Sequence, residues 1–157
     1  MQTQITDYNP RKSASNLDRE RLGSNIYESI HILSSLVCLN DQLITPKADR
    51  SNHPAAQLWK NYIPELVSYI YYQWEEWCSR KTKSGKPYAA YGVNYKNFEM
   101  ICSSINVWPG DADSMPPWIS QDVIDVHRSV LIRKNPDHYR PLWPESIEDL
   151  EMRYDWE

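Results

Sequence analysis

The sequence predicts an all-α fold: a compact single domain over 1–157, with three principal helices, an extended N-terminal arm and long loops. Three observations predict it. Apolar residues recur at three- and four-residue intervals in three separate stretches, near 17–39, 64–80 and 120–134. Prolines fall between those stretches or at their starts. At 157 residues, with 41% hydrophobic and 24% charged side chains, the chain has a globular composition and enough length to bury its own core.

Residues 1 to 15 are polar and carry Pro10, Arg11 and Lys12, which predicts an extended arm or short strand. The first helix spans Leu17 to Leu39. Leu22, Ile26, Ile30, Leu33 and Val37 form its apolar stripe, and Asn16 or Asp18 is placed to cap its start. At 100° per residue, Arg21, Ser24, Glu28 and Ser35 fall within about 60° of one another on the opposite side. Asn25 and His31 sit at the edges of that face. A carboxylate flanked by a guanidinium, hydroxyls, an amide and an imidazole is a candidate site; a merely solvated helix face has the same pattern.

Asn40 to Ser51 is a loop. Asn52 and His53 before Pro54 mark a helix start, and Pro64 divides the stretch into a short helix near 54–61 and a longer one near 64–80. Spacing predicts that the longer one buries Leu66, Val67, Ile70, Tyr71, Trp74 and Trp77. Phe98, Ile101 and Ile105 are spaced for a helix over 94–104, with a proline-rich loop after it. The third principal helix starts after Ser120, with Val123, Val126, Val130 and Leu131 inside and His127, Arg128, Arg133 and Lys134 outside. Asn135 and Pro136 stop it. In His138, Tyr139, Arg140 and Trp143 an imidazole, a phenol, a guanidinium and an indole fall within six residues. Such a mixture suits stacking on bases beside phosphates, and equally suits packing across a helical core.

The formal charge is −4, unevenly distributed. Residues 145–157 form an acidic tail with six acids and one base, leaving 15 acids against 16 bases in residues 1–144. Phosphate binding needs local cations rather than a basic total. Seven Trp and eleven Tyr accompany a single Phe, so the aromatic residues mostly carry polar handles. The three cysteines show no metal-ligand spacing and read as reduced thiols. His53, His127 and His138 likewise fit no metal motif, and no cofactor is expected. Without an apolar span or a secretory leader, the expectation is a cytoplasmic protein with no membrane partner.

Three stretches together, LDRERLGSNIYESIHIL, NHPAAQLWKNY and HRSVLIRKNPDHYRPLW, resemble the pyrimidine-dimer DNA glycosylase family, the endonuclease V type encoded by some phages and bacteria. The resemblance covers roughly two-thirds of the chain. It implies a protein that binds damaged or modified duplex DNA, flips a nucleotide out, breaks its glycosidic bond and nicks the abasic site. Carried over, Glu28 falls at the catalytic glutamate and Arg21 at a substrate-side position. His53 matches a histidine near the second helix. Tyr139, Arg140 and Trp143 fall in an aromatic, basic DNA-contacting segment. The further substrate-side candidates are Ser24, Asn25, His31, His127 and Arg128. The family's attacking group is the α-amine of a threonine exposed by removal of the initiator methionine. Here Gln2 stands directly after Met1, so Met1 supplies the candidate amine, with a lysine such as Lys12 or water activated by Glu28 as alternatives. The departure at the N-terminus and the acidic tail also leave a second expectation: a non-catalytic nucleotide- or protein-binding protein on this scaffold, regulatory or anti-defence in role.

Overall fold

The computed structural model describes residues 3–37, 53–86 and 92–156, and the side chains of all of these but 92–94. Among them it is helical, with no strand. The helices are α1 (Pro10–Ser15), α2 (Arg19–Val37), α3 (Pro54–Trp59), α4 (Ile63–Ser79), α5 (Gly92–Ile105), α6 (Gln121–Lys134) and α7 (Pro136–Tyr139). The expected loop over 40–51 and Cys38 lie outside the described residues.

Helix α2 is the hub, packing against α3, α4 and α5, while α1 packs on α4 and α7 on α6. Its stripe is buried as the spacing predicts: Leu22, Ile26, Ile30 and Leu33 join Trp59, Leu66, Tyr69, Ile70, Phe98, Leu131 and Ile132 in one core. Starts are set by side chains that accept otherwise orphaned N–H groups. Asn9 Oδ1 accepts from Arg11 and Lys12 on α1, Asp18 Oδ1 from Arg21 on α2, His53 Nδ1 from Ala55 on α3 and Ser120 Oγ from Val123 on α6.

Several expectations shift. The helix over 94–104 is a fourth long one, α5, and a short helix, α1, forms within the polar N-terminal region because Asn9 caps it and Pro10 suits its first position. Helix α4 buries Tyr69, Tyr72 and Gln73 and leaves Tyr71 and Trp74 half-buried. The cause is the N-terminal arm, whose polar backbone reaches Tyr69. Ser35, expected on the polar face of α2, is buried. His127, expected on the outer face of α6, is also buried, because the arm lies against it.

That arm is the least ordinary part of the fold. Thr3, Gln4, Ile5 and Thr6 are buried without being in a helix or strand. Buried backbone polar groups must find partners, and here side chains supply them. The Gln4 carbonyl accepts from Asn25 Nδ2 at 3.2 Å and from the Tyr69 hydroxyl at 2.8 Å. The Gln4 N–H donates to Asn25 Oδ1. The Ile5 N–H donates to His127 Nδ1 at 2.7 Å and the Thr6 N–H to Ser13 Oγ at 2.9 Å. Arg128 Nε donates to the Thr6 carbonyl at 2.9 Å.

The acidic tail returns along α6. The Leu150 N–H donates to Ser129 Oγ, and Arg133 donates to the Glu148 and Leu150 carbonyls. Arg140 pairs with the Glu148 carboxylate and donates to the Ser146 carbonyl.

Candidate functional site

Four residues of the polar α2 face, Arg21, Ser24, Asn25 and Glu28, come together with Gln4 and Lys134 around a polar cavity of about 420 Å³. A neighbouring cavity of about 630 Å³ shares Glu20 and Ser24 with it and runs past Asp18, Arg19 and Trp77. The depression therefore tracks the N-terminal half of α2. Its volume is in the range of small-molecule sites.

The carboxylate is the notable group. Glu28 Oε2 is buried and has no hydrogen-bond partner among the described residues. Gln4 Oε1, on the same cavity, is in the same condition, and Gln4 is only 9% exposed. Buried acceptors are nearly always satisfied, so two such atoms beside one cavity are uncommon. By contrast, the neighbouring Asn25 amide is fully committed, because beyond its bonds to Gln4 it donates to Gln73 Oε1 at 2.8 Å. Thr3 Oγ1 meets Ser29 Oγ at 3.1 Å, so the arm is held beside Glu28 from its first described residue. Met1 lies outside the described residues.

Arg21 bonds Asp18 Oδ2 at 3.1 Å and Glu20 Oε2 at 3.0 Å. Asp18 is itself held by the Tyr139 hydroxyl at 2.6 Å and by Asn135 Nδ2 at 3.0 Å. Burial alone would raise the Asp18 pKa, but the hydrogen bonds from Tyr139 and Asn135 and the Arg21 charge outweigh it and hold the carboxyl below its ordinary value. This knot fastens the start of α2 to the end of α6, and so brings Lys134 to the cavity.

The remaining predicted site residues are elsewhere. His31 stands a turn beyond, its ring 4.3 Å from that of Tyr27. His53 caps α3 and meets the Tyr154 ring edge-on. His127 and Arg128 hold the arm. Burial pushes the His127 imidazole down to about 4, which keeps it neutral and able to accept the Ile5 N–H. Arg128 also pairs with Asp7 and lies over the Trp143 ring. Tyr139 and Trp143 are buried and stacked on one another, and Arg140 is taken up by the tail.

Sequence reasoning passed over Gln4 as a site residue because polar arms are ordinarily solvated. It read Lys134 only as the basic end of a helix. Neither position carries a signal in the sequence: the partners of Gln4 are distant in the chain, and the place of Lys134 depends on how α6 meets α2.

Among the described residues no group of His, Cys, Asp and Glu is arranged to hold a metal ion, and no helix is long and apolar enough to cross a membrane. Cys78 and Cys102 are free thiols. A family model described as pyrimidine dimer DNA glycosylase matches residues 1–89. That span holds the arm, α1 to α4 and every residue lining the Glu28 cavity except Lys134. No curated protein and no solved structure matches the chain.

Proposed function

The chain belongs to the pyrimidine dimer DNA glycosylase family, and from that premise we propose that it is an N-glycosylase acting on damaged or modified bases in duplex DNA, with Glu28 as its catalytic carboxylate. The family gives the coarse function, glycosylase-type repair with DNA as the partner. The observation that carries the finer reading is the buried, unpartnered Glu28 oxygen in a polar cavity.

Breaking a C1′–N bond develops positive charge on the sugar. A fixed anion in a preorganised polar site stabilises that charge far better than water does. It also accepts a proton from the attacking group, which is general-base work. A base stacked in a duplex hides C1′ from a side chain, so the nucleotide must leave the stack first. The cavity beside the arm receives it, with Arg21, Ser24 and Asn25 along its wall. Arg21 is suited to a flanking phosphate by its planar fork, at the expense of its contact with the exposed Glu20. His127, Arg128, Tyr139 and Trp143 serve this reading by holding the arm and the α2–α6 junction.

The test is release of free base. Duplexes that are UV-irradiated, or that carry modified bases, are incubated with the protein, and free bases and abasic sites are counted. Release from at least one class is expected. Tight binding with no release from any class favours instead a binding protein on the same scaffold. The acidic tail lying on Arg133 and Arg140 is the observation that favours this second reading.

A further inference from the structure

A separate cavity, of about 360 Å³, lies between α4, α5 and the turn after α5, and shares no lining residue with the Glu28 cavity. Tyr71 comes from α4, Tyr95, Phe98, Glu99 and Cys102 from α5, and Trp108 from the turn. Among the described residues that line it, four are aromatic and Glu99 alone is charged. The rings are set at angles. Tyr95 lies 5.9 Å from Phe98 with the planes inclined by 51°, and Trp74 stacks on Tyr95 at 4.6 Å. The Trp108 indole is 44% exposed, and its polar atom is already committed: Nε1–H donates to Asn106 Oδ1 at 3.3 Å. Its backbone N–H donates to Asp111 Oδ2 at 2.8 Å, and the Gly110 N–H donates to Ser68 Oγ on α4 at 3.1 Å. The turn is therefore pinned in place, which lowers the cost of binding there.

The charge around these rings is negative. Burial first, and then the Glu99 and Asp111 carboxylates, push the Cys102 thiol up to about 12, so the thiol stays neutral. The Glu75 charge raises the Tyr71 hydroxyl in the same way. Arg11 opposes it there, but its guanidinium lies over the neighbouring Tyr72 ring, 4.0 Å from the centroid. Ring faces are negative too, and attract a cation that comes within about 6 Å of their centroids. A flat neutral base stacks best between parallel faces, whereas Tyr95 and Phe98 are inclined; a compact cation is served by faces at any angle. We propose that this cavity binds a small alkylated ammonium ion, with Tyr71, Tyr95, Phe98 and Trp108 around the cation and Glu99 at its edge. The rings bury the alkyl groups and the carboxylate matches the charge. This site does not depend on the glycosylase reading, and each stands or falls without the other.

The experiment is a titration of the full chain with choline chloride at constant ionic strength, followed by calorimetry and by the Trp108 indole N–H resonance, which is assigned by its loss in Trp108→Phe. Two neutral ligands are titrated alongside: the carbon isostere of choline, with a tert-butyl group for the trimethylammonium, and adenosine. Saturable choline binding that moves the Trp108 resonance, about tenfold tighter than the isostere, is the expected result. Glu99→Gln, at an exposed position, is expected to weaken choline and leave the isostere unchanged. Trp108→Ala is expected to weaken choline roughly tenfold, with Trp108→Phe recovering most of the loss. Urea melting checks that each variant is folded. Isostere binding as tight as that of choline makes the cavity merely apolar and overturns the proposal. So does adenosine binding more tightly than choline. Choline binding that leaves the Trp108 resonance unmoved, or that survives both Glu99→Gln and Trp108→Ala, places the cation elsewhere and overturns it too. Absence of saturable choline binding by the wild type ends it outright.

Discussion

Glu28 keeps a carboxylate oxygen buried without a hydrogen bond, an arrangement that costs a protein about 1–3 kcal/mol. Selection tolerates such a cost mainly where the group has other work. Replacing the charge with an amide, Glu28→Gln, is therefore expected to leave the urea midpoint unchanged or raised while base release falls roughly 10²–10⁴-fold. A variant that loses stability and activity together would make Glu28 a structural residue. Asn25 makes the opposite prediction. Its amide bonds both polar atoms of the Gln4 backbone unit and Gln73. Asn25→Ala is expected to cost about 2–3 kcal/mol by urea denaturation, because the Gln4 N–H is left buried and unpaired. These two neighbours looked alike in the sequence, one at the centre and one at the edge of the same polar face. Helical angles alone could say that both left the apolar stripe. They could not say that one would meet the arm and the other a cavity.

The arm is held to α6 by a neutral histidine, which gives its docking a pH dependence. The His127 value falls from 6.5 to about 4 on folding because the ring is buried. The unfolded chain therefore binds a proton that the folded chain refuses. Stability from this group is fully present above pH 6.5 and is lost as pH falls toward 4, a change of roughly 3 kcal/mol. Urea midpoints measured from pH 7 to 4.5 are expected to fall, and His127→Gln is expected to flatten the slope. An equal slope in both would remove His127 as the cause. The α2–α6 junction is polar too. Tyr139→Phe deletes the hydroxyl that bonds the Asp18 carboxylate and backbone N–H, and should cost about 1–2 kcal/mol by thermal or urea melting. At this scale α2, α4 and α6 were legible in the sequence because each carries a repeating apolar stripe. The burial of Thr3 to Thr6 was not, since their backbone partners come from α1, α2, α4 and α6, up to 122 residues away. The aromatic, basic run after α6 was ambiguous for a related reason. Tyr139 and Trp143 stack inside the protein with the same chemistry by which they would stack on a base.

Over the whole molecule, charge decides how DNA is met. The tail carries six acids and one base, and residues 1–144 carry 15 acids and 16 bases. The folded tail engages Arg133 and Arg140 through Glu148 and nearby carbonyls. A chain ending at residue 144 removes the tail's contacts from both guanidinium groups, leaving Arg133 its bond to Ser129 and Arg140 its bonds to the Trp143 and Pro144 carbonyls, and changes the net charge from −4 to +1. Tighter binding to duplex DNA at low salt is expected, with a steeper salt dependence as more phosphates are neutralised. Identical affinity and salt slope in the two lengths would show that the tail guards no DNA surface. The asymmetry of charge was plain in the sequence. Its placement on α6 and α7 was not, because tail contacts use backbone carbonyls that any sequence supplies.

The most direct measurement is single-turnover base release from damaged duplex DNA by wild type and Glu28→Gln, each shown by urea melting to be folded. Release by the wild type, with loss of it in a variant of equal or greater stability, is the expected result. Undiminished release by Glu28→Gln would remove the carboxylate from the chemistry, and no release by the wild type would remove the chemistry itself.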